Sequence, residues 1–381
     1  MGFRCCLMLY ACVYLFSAAA FAQDTVGEVI FAKLTRGGYI DSYQQAMTSE
    51  VASNLIAATD RWSGVQVNGQ HRSGWINIYL VDANRLLKDD ILAAEGIGGT
   101  LYHNALTHEE SATIFIDTGL LKAIAASTYL KQAKVVDSLE AGVAKVQVDG
   151  LDALRQAWDP KTLAQVDQPI VQRVNMFLRG TLAFIVAHEM GHVAIGRPAL
   201  NREIKPPKKN LTPRERDELH ACPELLEKEQ QQQQQIERRA DEFAAGLLSQ
   251  QCHIGSDGAI RHQMYLLGAD WYFLYVMSDK LLAGARATQS PNIRRMLIQR
   301  IGPELYTAAV EKSDRSKRGA VHAFFPSSHP PDVNRANQLE AMLSRSACGS
   351  SGIGSGSMLG QLWQSMITAQ CQQLKAKEAL Q

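Results

Sequence analysis

Three polar side chains interrupt a long apolar run of the sequence. The run "TLAFIVAHEMGHVAIG" covers residues 181–196 and contains His188, Glu189 and His192. Burying an imidazole or a carboxylate in apolar surroundings costs free energy unless the group is paired or bound to a metal ion. Because all three lie within five residues, we expect one shared reason for their presence.

The spacing of these residues is that of a zinc site. His192 follows His188 by four residues, which places both imidazoles on one face of a helix, one turn apart. Two such nitrogens can reach one Zn²⁺ at ~2.0–2.1 Å. Glu189 is offset around the helix, so it can act as general base on a water molecule without being a ligand. This H-E-x-x-H pattern is typical of zinc metallopeptidases, but it also occurs by chance and needs a third ligand.

A pair of carboxylates further along the chain supplies a candidate third ligand. In "IERRADEFAAG" (residues 236–246), Glu237 and Asp241 are four residues apart and share a helical face. Small neighbouring residues make this helix slim enough to lie against the first. We expect Glu237 to be the third zinc ligand and Asp241 to accept a hydrogen bond from a ligand imidazole. The alternative is that both are surface charges on a solvated helix.

A third segment, "FFPSSHPPDVNRANQLEAM" (residues 324–342), adds a histidine and an arginine. His329 precedes two prolines, which hold the chain extended, and Arg335 opens an amphipathic helix. Either side chain could donate a hydrogen bond to the oxyanion of a tetrahedral intermediate. Taken alone, the segment would be interpreted as a loop that precedes a helix and does no chemistry.

The elements that must position these residues are mostly helical. Hydrophobic periodicity predicts one long buried helix from Pro169 to about Ile195, a charged helix with six glutamines (residues 230–235), and an apolar core helix over residues 262–284. Residues 23 to about 70 are also predicted to be mostly helical. Five further histidines are interpreted as surface or cleft residues: His71, His220, His253, His262 and His322.

Short apolar runs predict a small sheet. "GWINIYLVD" (residues 74–82) alternates in the manner of a strand with one buried face, and "ATIFIDTGLL" (residues 112–121) is a strand that leads into a helix. "LYHNALTHEESA" (residues 101–112) is an edge or hairpin segment between them. The fold class is therefore α+β and mostly helical, with one candidate metallopeptidase domain over residues 23–345. An insert at about 197–235 and a Gly/Ser linker with an amphipathic helix (residues 346–381) complete the chain.

The first 22 residues have the features of a secretory signal peptide. Arg4 provides a positive charge, "CCLMLYACVYLF" is an apolar core, and residues 20–22 ("AFA") offer the small residues that a signal peptidase reads. The apolar run is short for an alternative membrane anchor of ~20 residues, and Cys12 is an imperfect lipoprotein site. We expect a mature chain from Gln23 that is exported, periplasmic or secreted.

An exported location favours disulfide bonds between the cysteines, and the balance of charges indicates the kind of partner. Cys222, Cys252, Cys348 and Cys371 follow the signal peptide, and their order favours the pairs Cys222–Cys252 and Cys348–Cys371, with free buried thiols as the alternative. Lys and Arg (39) nearly balance Asp and Glu (38), which gives no indication of a nucleic acid as partner. No later segment is predicted to span a membrane, which leaves peripheral association open.

Together these motifs resemble a known enzyme family. "HEMGH", "ERRAD" and "SSHPPDVNR" match, in this order, the H-E-x-x-H, E-x-x-x-D and S/T-H-P-x-x-x-x-R elements of the HtpX and CaaX-prenyl-endopeptidase type of zinc metallopeptidase, metallopeptidase family forty-eight, a gluzincin group. "NALTHEESATIFIDTGLL" (residues 104–121) also resembles the edge-strand stretch of that family. The resemblance covers roughly residues 70–345 and is nearest to the exported, soluble periplasmic members.

The resemblance implies a role for each residue of the candidate site. One Zn²⁺ would be bound by His188, His192 and Glu237, with Glu189 as general base, Asp241 in support of a ligand, and His329 and Arg335 at the reacting carbonyl. It also implies a zincin-like fold in which the H-E-x-x-H helix packs on the E-x-x-x-D helix and an edge strand near residues 101–116 lines the cleft.

The expected activity is hydrolysis of peptide bonds in extended or unfolded polypeptides, with quality control of envelope proteins as the role that the resemblance suggests. The alternative is a non-catalytic zinc module that holds a client or an assembly partner. A latent protease, covered by its glutamine-rich insert, is a third interpretation. Glu189 favours an enzyme, because a structural zinc site needs no base and prefers a fourth protein ligand.

Overall fold

The computed structural model describes residues 26–86, 104–158, 168–196, 228–288, 291–311 and 332–343. These residues form two units. The first contains residues 26–86, 104–120 and 192–196, and the second contains the other described residues. The signal peptide, most of the insert, His329 and the C-terminal tail lie outside the described residues.

The first unit contains a four-stranded sheet in the order β1-β2-β4-β3. The strands are β1 (Gly64–Val67), β2 (Trp75–Val81), β3 (Ala105–His108) and β4 (Thr113–Asp117). β1 and β4 run parallel to β2, whereas β3 is antiparallel to β4, with Leu106 opposite Phe115. The sheet is therefore mixed, and β3 ends it within the described part of the chain.

The two central strands are buried on both faces, which differs from the alternation predicted for β2. All residues of β2 except Trp75 are buried, and so are all five residues of β4. Parallel strands lie in the interior of a sheet and are covered on both sides, so their sequences read as continuous apolar runs. Tyr79 of β2 and Phe115 of β4 face one another in this core, with ring centroids 6.1 Å apart.

Helices α1 (residues 26–36), α2 (Gln45–Ile56) and α3 (Ala83–Leu86) complete the first unit. The prediction of helix up to residue 70 was wrong for β1, because a four-residue strand is too short for its periodicity to stand out. His71 was also misassigned to the surface or a cleft. It is buried, and its Nε2–H donates to the Ser111 carbonyl at 3.0 Å.

The second unit is helical, and its first helix begins with three residues, 118–120, that belong to the first unit. Its helices are α4 (Thr118–Gln132), α5 (Leu139–Trp158), α6 (Gln168–Ile195), α7 (Lys228–Gln250), α8 (Gly258–Thr288), α9 (Pro291–Ile301), α10 (Pro303–Tyr306) and α11 (Asp332–Leu343). The long helix predicted up to Ile195 is confirmed as α6, although its last turn belongs to the first unit. The core helix predicted over residues 262–284 is confirmed within α8. The molecule is thus mostly helical α+β.

Helices α6 and α8 cross at closely approaching backbones. A Cβ added at Gly180 or at Gly268 would overlap the backbone of the opposite helix. The Thr181 hydroxyl donates to the Gly268 carbonyl at 3.0 Å beside this crossing. Phe177 and Trp271 stack further along, with ring centroids 4.3 Å apart. Because glycine permits this approach, α6 is held deep in the core, and its polar residues are buried with it.

Helix α6 is also long and apolar enough, by length and composition alone, to cross a membrane. The sequence predicted no membrane span after the signal peptide. A buried core helix passes the same test, and more than half of the apolar stretch of α6 is buried. The helix is therefore weak evidence for a membrane span.

Two contacts secure the C-terminal end of α7. His262 of α8 was predicted to lie at the surface or in a cleft but is fully buried, and its Nδ1–H donates to the Leu248 carbonyl at 2.8 Å. Cys252, two residues after the helix, is disulfide-bonded. Its partner lies outside the described residues, because Cys252 is the sole cysteine within them.

Candidate metal centre

Helix α6 carries the two histidines of the candidate site. The residues from Gly180 to Gly191 are buried without interruption. His188 and Glu189 are therefore forced into the core, where they are 5% and 7% exposed. His192 follows one helical turn later on the same face and is partly exposed.

Helix α7 brings a carboxylate to these histidines. Glu237 is 3% exposed, and its Oε2 lies 3.3 Å from His188 Nε2. One ligand atom from each of His188, His192 and Glu237 lies within 4.8 Å of the other two. The structure therefore brings together the three residues that the sequence predicted as zinc ligands, and it does so from two different helices.

A glycine allows these helices to approach. A Cβ added at Gly191 would lie 2.8 Å from the Ala240 Cα and 2.9 Å from the Ala240 carbonyl oxygen. Both distances are shorter than real Cβ contacts, so any larger residue at position 191 would force α6 and α7 apart. Gly191 occupies the second unspecified position of the H-E-x-x-H pattern, and its small size is what lets Glu237 reach the histidines.

Asp241 occupies the opposite side of the His188 ring. Its Oδ1 lies 2.9 Å from His188 Nδ1, and the carboxylate is 1% exposed. Nδ1–H donates to Asp241, which fixes the ring orientation and leaves Nε2 facing Glu237 and His192. This is the arrangement expected for a metal-ligating histidine whose second nitrogen is held by a carboxylate.

Arg335 of α11 binds the same carboxylate through two hydrogen bonds. Its Nε donates to Asp241 Oδ2 and its Nη2 to Asp241 Oδ1, each at 2.8 Å. The guanidinium is 4% exposed and lies over the Phe273 ring, 5.5 Å from the centroid. Nη2 is also 3.3 Å from His188 Nδ1. Both nitrogens direct a proton to Oδ1, so we treat this last distance as a contact between two donors.

These contacts shift two pKa values. Burial alone would lower the pKa of His188, but hydrogen bonds to Asp241 and Glu237, together with the charge of Asp241, outweigh it and raise the pKa to about 9. Burial alone would raise the pKa of Asp241, but the charge and hydrogen bonds of Arg335 hold it well below its usual range. The Arg335 guanidinium therefore favours the ionised form of Asp241, and that negative charge in turn favours the protonated form of His188.

The donor set fits Zn²⁺. Imidazole nitrogens and a carboxylate oxygen are its ordinary ligands, and three protein donors are the number that catalytic zinc sites use. Within the described ranges, no other group of three His, Cys, Asp or Glu residues converges in this way. Asp241 is engaged with Arg335 and the back of His188, so it supports the ligand set without joining it.

The remaining residues that the sequence predicted to be catalytic are Glu189, Arg335 and His329. Glu189 follows His188 in α6, about 100° further around the helix, and is buried beside the ligand group. Arg335 lies near the start of a helix, as predicted, but its Nε and Nη2 are directed to Asp241. His329 lies outside the described residues.

Gln234 is a buried residue near the candidate ligands that the sequence did not predict. This residue is 4% exposed and lies three positions before Glu237 on α7. It was predicted only as one of six glutamines in a charged helix, although positions 234, 237 and 241 share one helical face. Applying the helical period across the glutamine run would have distinguished it from its neighbours.

Comparisons with known proteins give no match: no protein-family model, no curated protein and no solved structure matches the chain.

Proposed function

We propose that the chain is a zinc-dependent endopeptidase of the HtpX and CaaX-prenyl-endopeptidase type. The observation that carries the proposal is the convergence of His188, His192 and Glu237 within 4.8 Å, on the two helices that the sequence motifs selected. The Asp241 carboxylate on the far nitrogen of His188 supports it further, because surface charges on a solvated helix would not be buried in this way.

Each residue of the site has a defined task in this proposal. A bound Zn²⁺ supplies a Lewis acid for the scissile carbonyl and the attacking water. Glu189 accepts the proton of that water as the oxygen attacks the carbonyl carbon, and the same carboxyl group returns the proton to the leaving amine nitrogen as the C–N bond breaks. The peptide bond is replaced by a carboxylic acid and an amine, which exchange a proton to become a carboxylate and an ammonium group, and Glu189 is again ionised.

Arg335 positions other residues in this scheme. A guanidinium that already donates two hydrogen bonds to a buried carboxylate is committed to that partner. It holds Asp241, and Asp241 in turn holds the His188 ring in the tautomer that presents Nε2. The predicted contact of Arg335 with the reacting carbonyl is therefore replaced by a positioning role, while His329 keeps its predicted role as an oxyanion donor.

Extended polypeptides are the proposed substrates. The backbone of β3 lies at the end of the sheet within the described residues, and such an edge can accept another strand through main-chain hydrogen bonds. Recognition of this kind reads the backbone more than the side chains, which suits unfolded chains. The disulfide at Cys252 supports an oxidising, exported location and a role in envelope protein quality control.

The proposal is tested by measuring zinc content and casein cleavage together. The mature protein is compared with Glu189→Gln and with Glu242→Gln, an isosteric control at an exposed glutamate of α7. We expect about one Zn²⁺ per chain in all three, and a 10²–10⁴-fold loss of cleavage in Glu189→Gln alone. Zinc binding without cleavage by the mature protein would favour the non-catalytic or latent alternative. Absence of zinc binding would refute the site assignment.

A further inference from the structure

Gln234 is a buried amide in a run of glutamines. Gln231, Gln232 and Gln235 are exposed, whereas Gln234 is 4% exposed. Its Nε2 is buried and has no hydrogen-bond partner among the residues that the structure describes. Leaving such a donor unsatisfied costs free energy, so buried amides are nearly always paired. A ligand that accepts a hydrogen bond would remove this cost.

Gln234 lies on the same face of α7 as Glu237, one of the three candidate metal ligands. Glu237 and Asp241 follow it by three and seven residues, so all three lie on one face of the helix. That face is directed to α6, because Glu237 and Asp241 both contact His188. Gln234 is displaced about 4.5 Å along the axis from Glu237, on the side away from Asp241. The Asp241–Arg335 pair thus flanks one side of Glu237 and Gln234 the other.

The chemistry of an amide restricts what Gln234 can do there. Its NH₂ group donates hydrogen bonds, carries no charge and is not a zinc ligand. The natural acceptor near a Lewis acid is the carbonyl oxygen that becomes negative during peptide hydrolysis. Arg335, which the sequence predicted for this task, is directed to Asp241.

We infer that the Gln234 Nε2 amide donates a hydrogen bond to the scissile carbonyl oxygen of a peptide substrate and stabilises the oxyanion that forms on it. The inference rests on the proposed function, since it assumes that a peptide carbonyl reacts beside Glu237. It assigns a further catalytic residue on α7, additional to the donor predicted at His329.

The test compares Gln234→Met with Gln235→Met. Methionine keeps the length of the side chain and removes the donor, and Gln235 provides the matched exposed control in the next position. Four quantities are measured for each zinc-loaded protein: kcat/KM for a peptide that the wild type cleaves, the Kd of its phosphinic analogue, the zinc affinity, and the Tm. The phosphinic group mimics the tetrahedral oxyanion, so its Kd reports the inferred contact without turnover.

We expect Gln234→Met to lower kcat/KM by about 10²–10³-fold and to weaken the phosphinic analogue by a similar factor, as loss of one oxyanion donor does. Zinc affinity should be unchanged, and Tm unchanged or higher, because an unsatisfied buried amide has been replaced by an apolar group. Gln235→Met should match the wild type in all four measurements.

The other outcomes would overturn the inference in different ways. Unchanged binding of the analogue would show that the amide does not face the oxyanion. Reduced zinc affinity would show that Gln234 serves the metal, and a lower Tm would show that it satisfies a structural hydrogen bond. If the wild type binds zinc but neither cleaves peptides nor binds the analogue, the proposed function fails first and the inference fails with it.

Discussion

Arg335 donates to both carboxylate oxygens of Asp241 at 2.8 Å, across a sequence separation of 94 residues and with both side chains almost fully buried. The same carboxylate accepts the Nδ1 proton of His188. Helix α11 is therefore connected to the candidate metal centre through one shared acceptor, although none of the three candidate ligands His188, His192 and Glu237 lies on it. Changes at Arg335 or Asp241 are therefore expected to affect both folding stability and the candidate metal site.

Replacing Arg335 by Met is expected to reduce both folding stability and zinc affinity. A charged Asp241 would remain buried beside an apolar side chain, which costs about 3–5 kcal/mol. A ligand histidine that is held less firmly typically binds its metal 10–100-fold more weakly. Denaturant unfolding and competition with a zinc chelator measure the two effects.

The exposed pair of Arg294 with Glu311 provides the control for this prediction. Its two side chains are 59% and 40% exposed, so Arg294→Met should cost no more than about 1 kcal/mol and leave zinc affinity unchanged. Equal effects at Arg294 and Arg335 would contradict the argument from burial.

A double-mutant cycle tests the coupling of Arg335 and Asp241 directly. Asp241→Asn removes the buried negative charge and leaves the guanidinium without its counterion. Combined with Arg335→Met, it should be less destabilising than the sum of the two single changes, because no unpaired charge remains. We expect a coupling free energy of about 1–3 kcal/mol from denaturant unfolding. Additive single effects would mean that the two side chains act independently.

Gly191→Ala is expected to abolish zinc binding at a position that supplies no ligand. The added methyl group would lie 2.8 Å from the Ala240 Cα, so α7 must move and carry Glu237 away from the histidines. Zinc content after dialysis measures the loss. At Gly246 of α7, where an added Cβ meets nothing within 4 Å, alanine should stabilise the helix by up to about 1 kcal/mol and keep the zinc. Retained zinc in Gly191→Ala would show that the helices have room to adjust.

The disulfide of Cys252 is expected to stabilise α7 against unfolding. Removing it by Cys252→Ser should cost about 2–4 kcal/mol in a thermal or denaturant melt. Peptide mapping without reduction identifies its partner, which the order of the cysteines predicts to be Cys222. A bridge from Cys252 to Cys348 or to Cys371 would show that the order-based pairing is wrong.

The residues of the candidate metal centre could be predicted because their chemistry and their helical period appear together in the sequence. His188 and His192 are one turn apart, as are Glu237 and Asp241, and α6 and α7 place these two pairs against each other. The long buried helix was equally visible, because its apolar residues extend around most of its circumference.

The other features depend on tertiary contacts that a local pattern does not contain. The role of Arg335 follows from a carboxylate 94 residues earlier, and the burial of Gln234 follows from the packing of its helix. β1 is too short to show a period, and β2 alternates in composition although both of its faces are covered. The motifs therefore predicted which residues form the candidate site, but they did not predict which other residues those side chains contact.

The connection of α11 to His188 also sets an order for the assembly of the site. All three candidate metal ligands are present once the chain has passed Glu237, but the contact of Arg335 with His188 closes a loop of 147 residues. Closing so long a loop is entropically costly and favours late formation during folding. A chain that folds from its N-terminus onward would form a loosely held candidate site before it forms a rigid one. Firm retention of a metal ion would then mark completed folding.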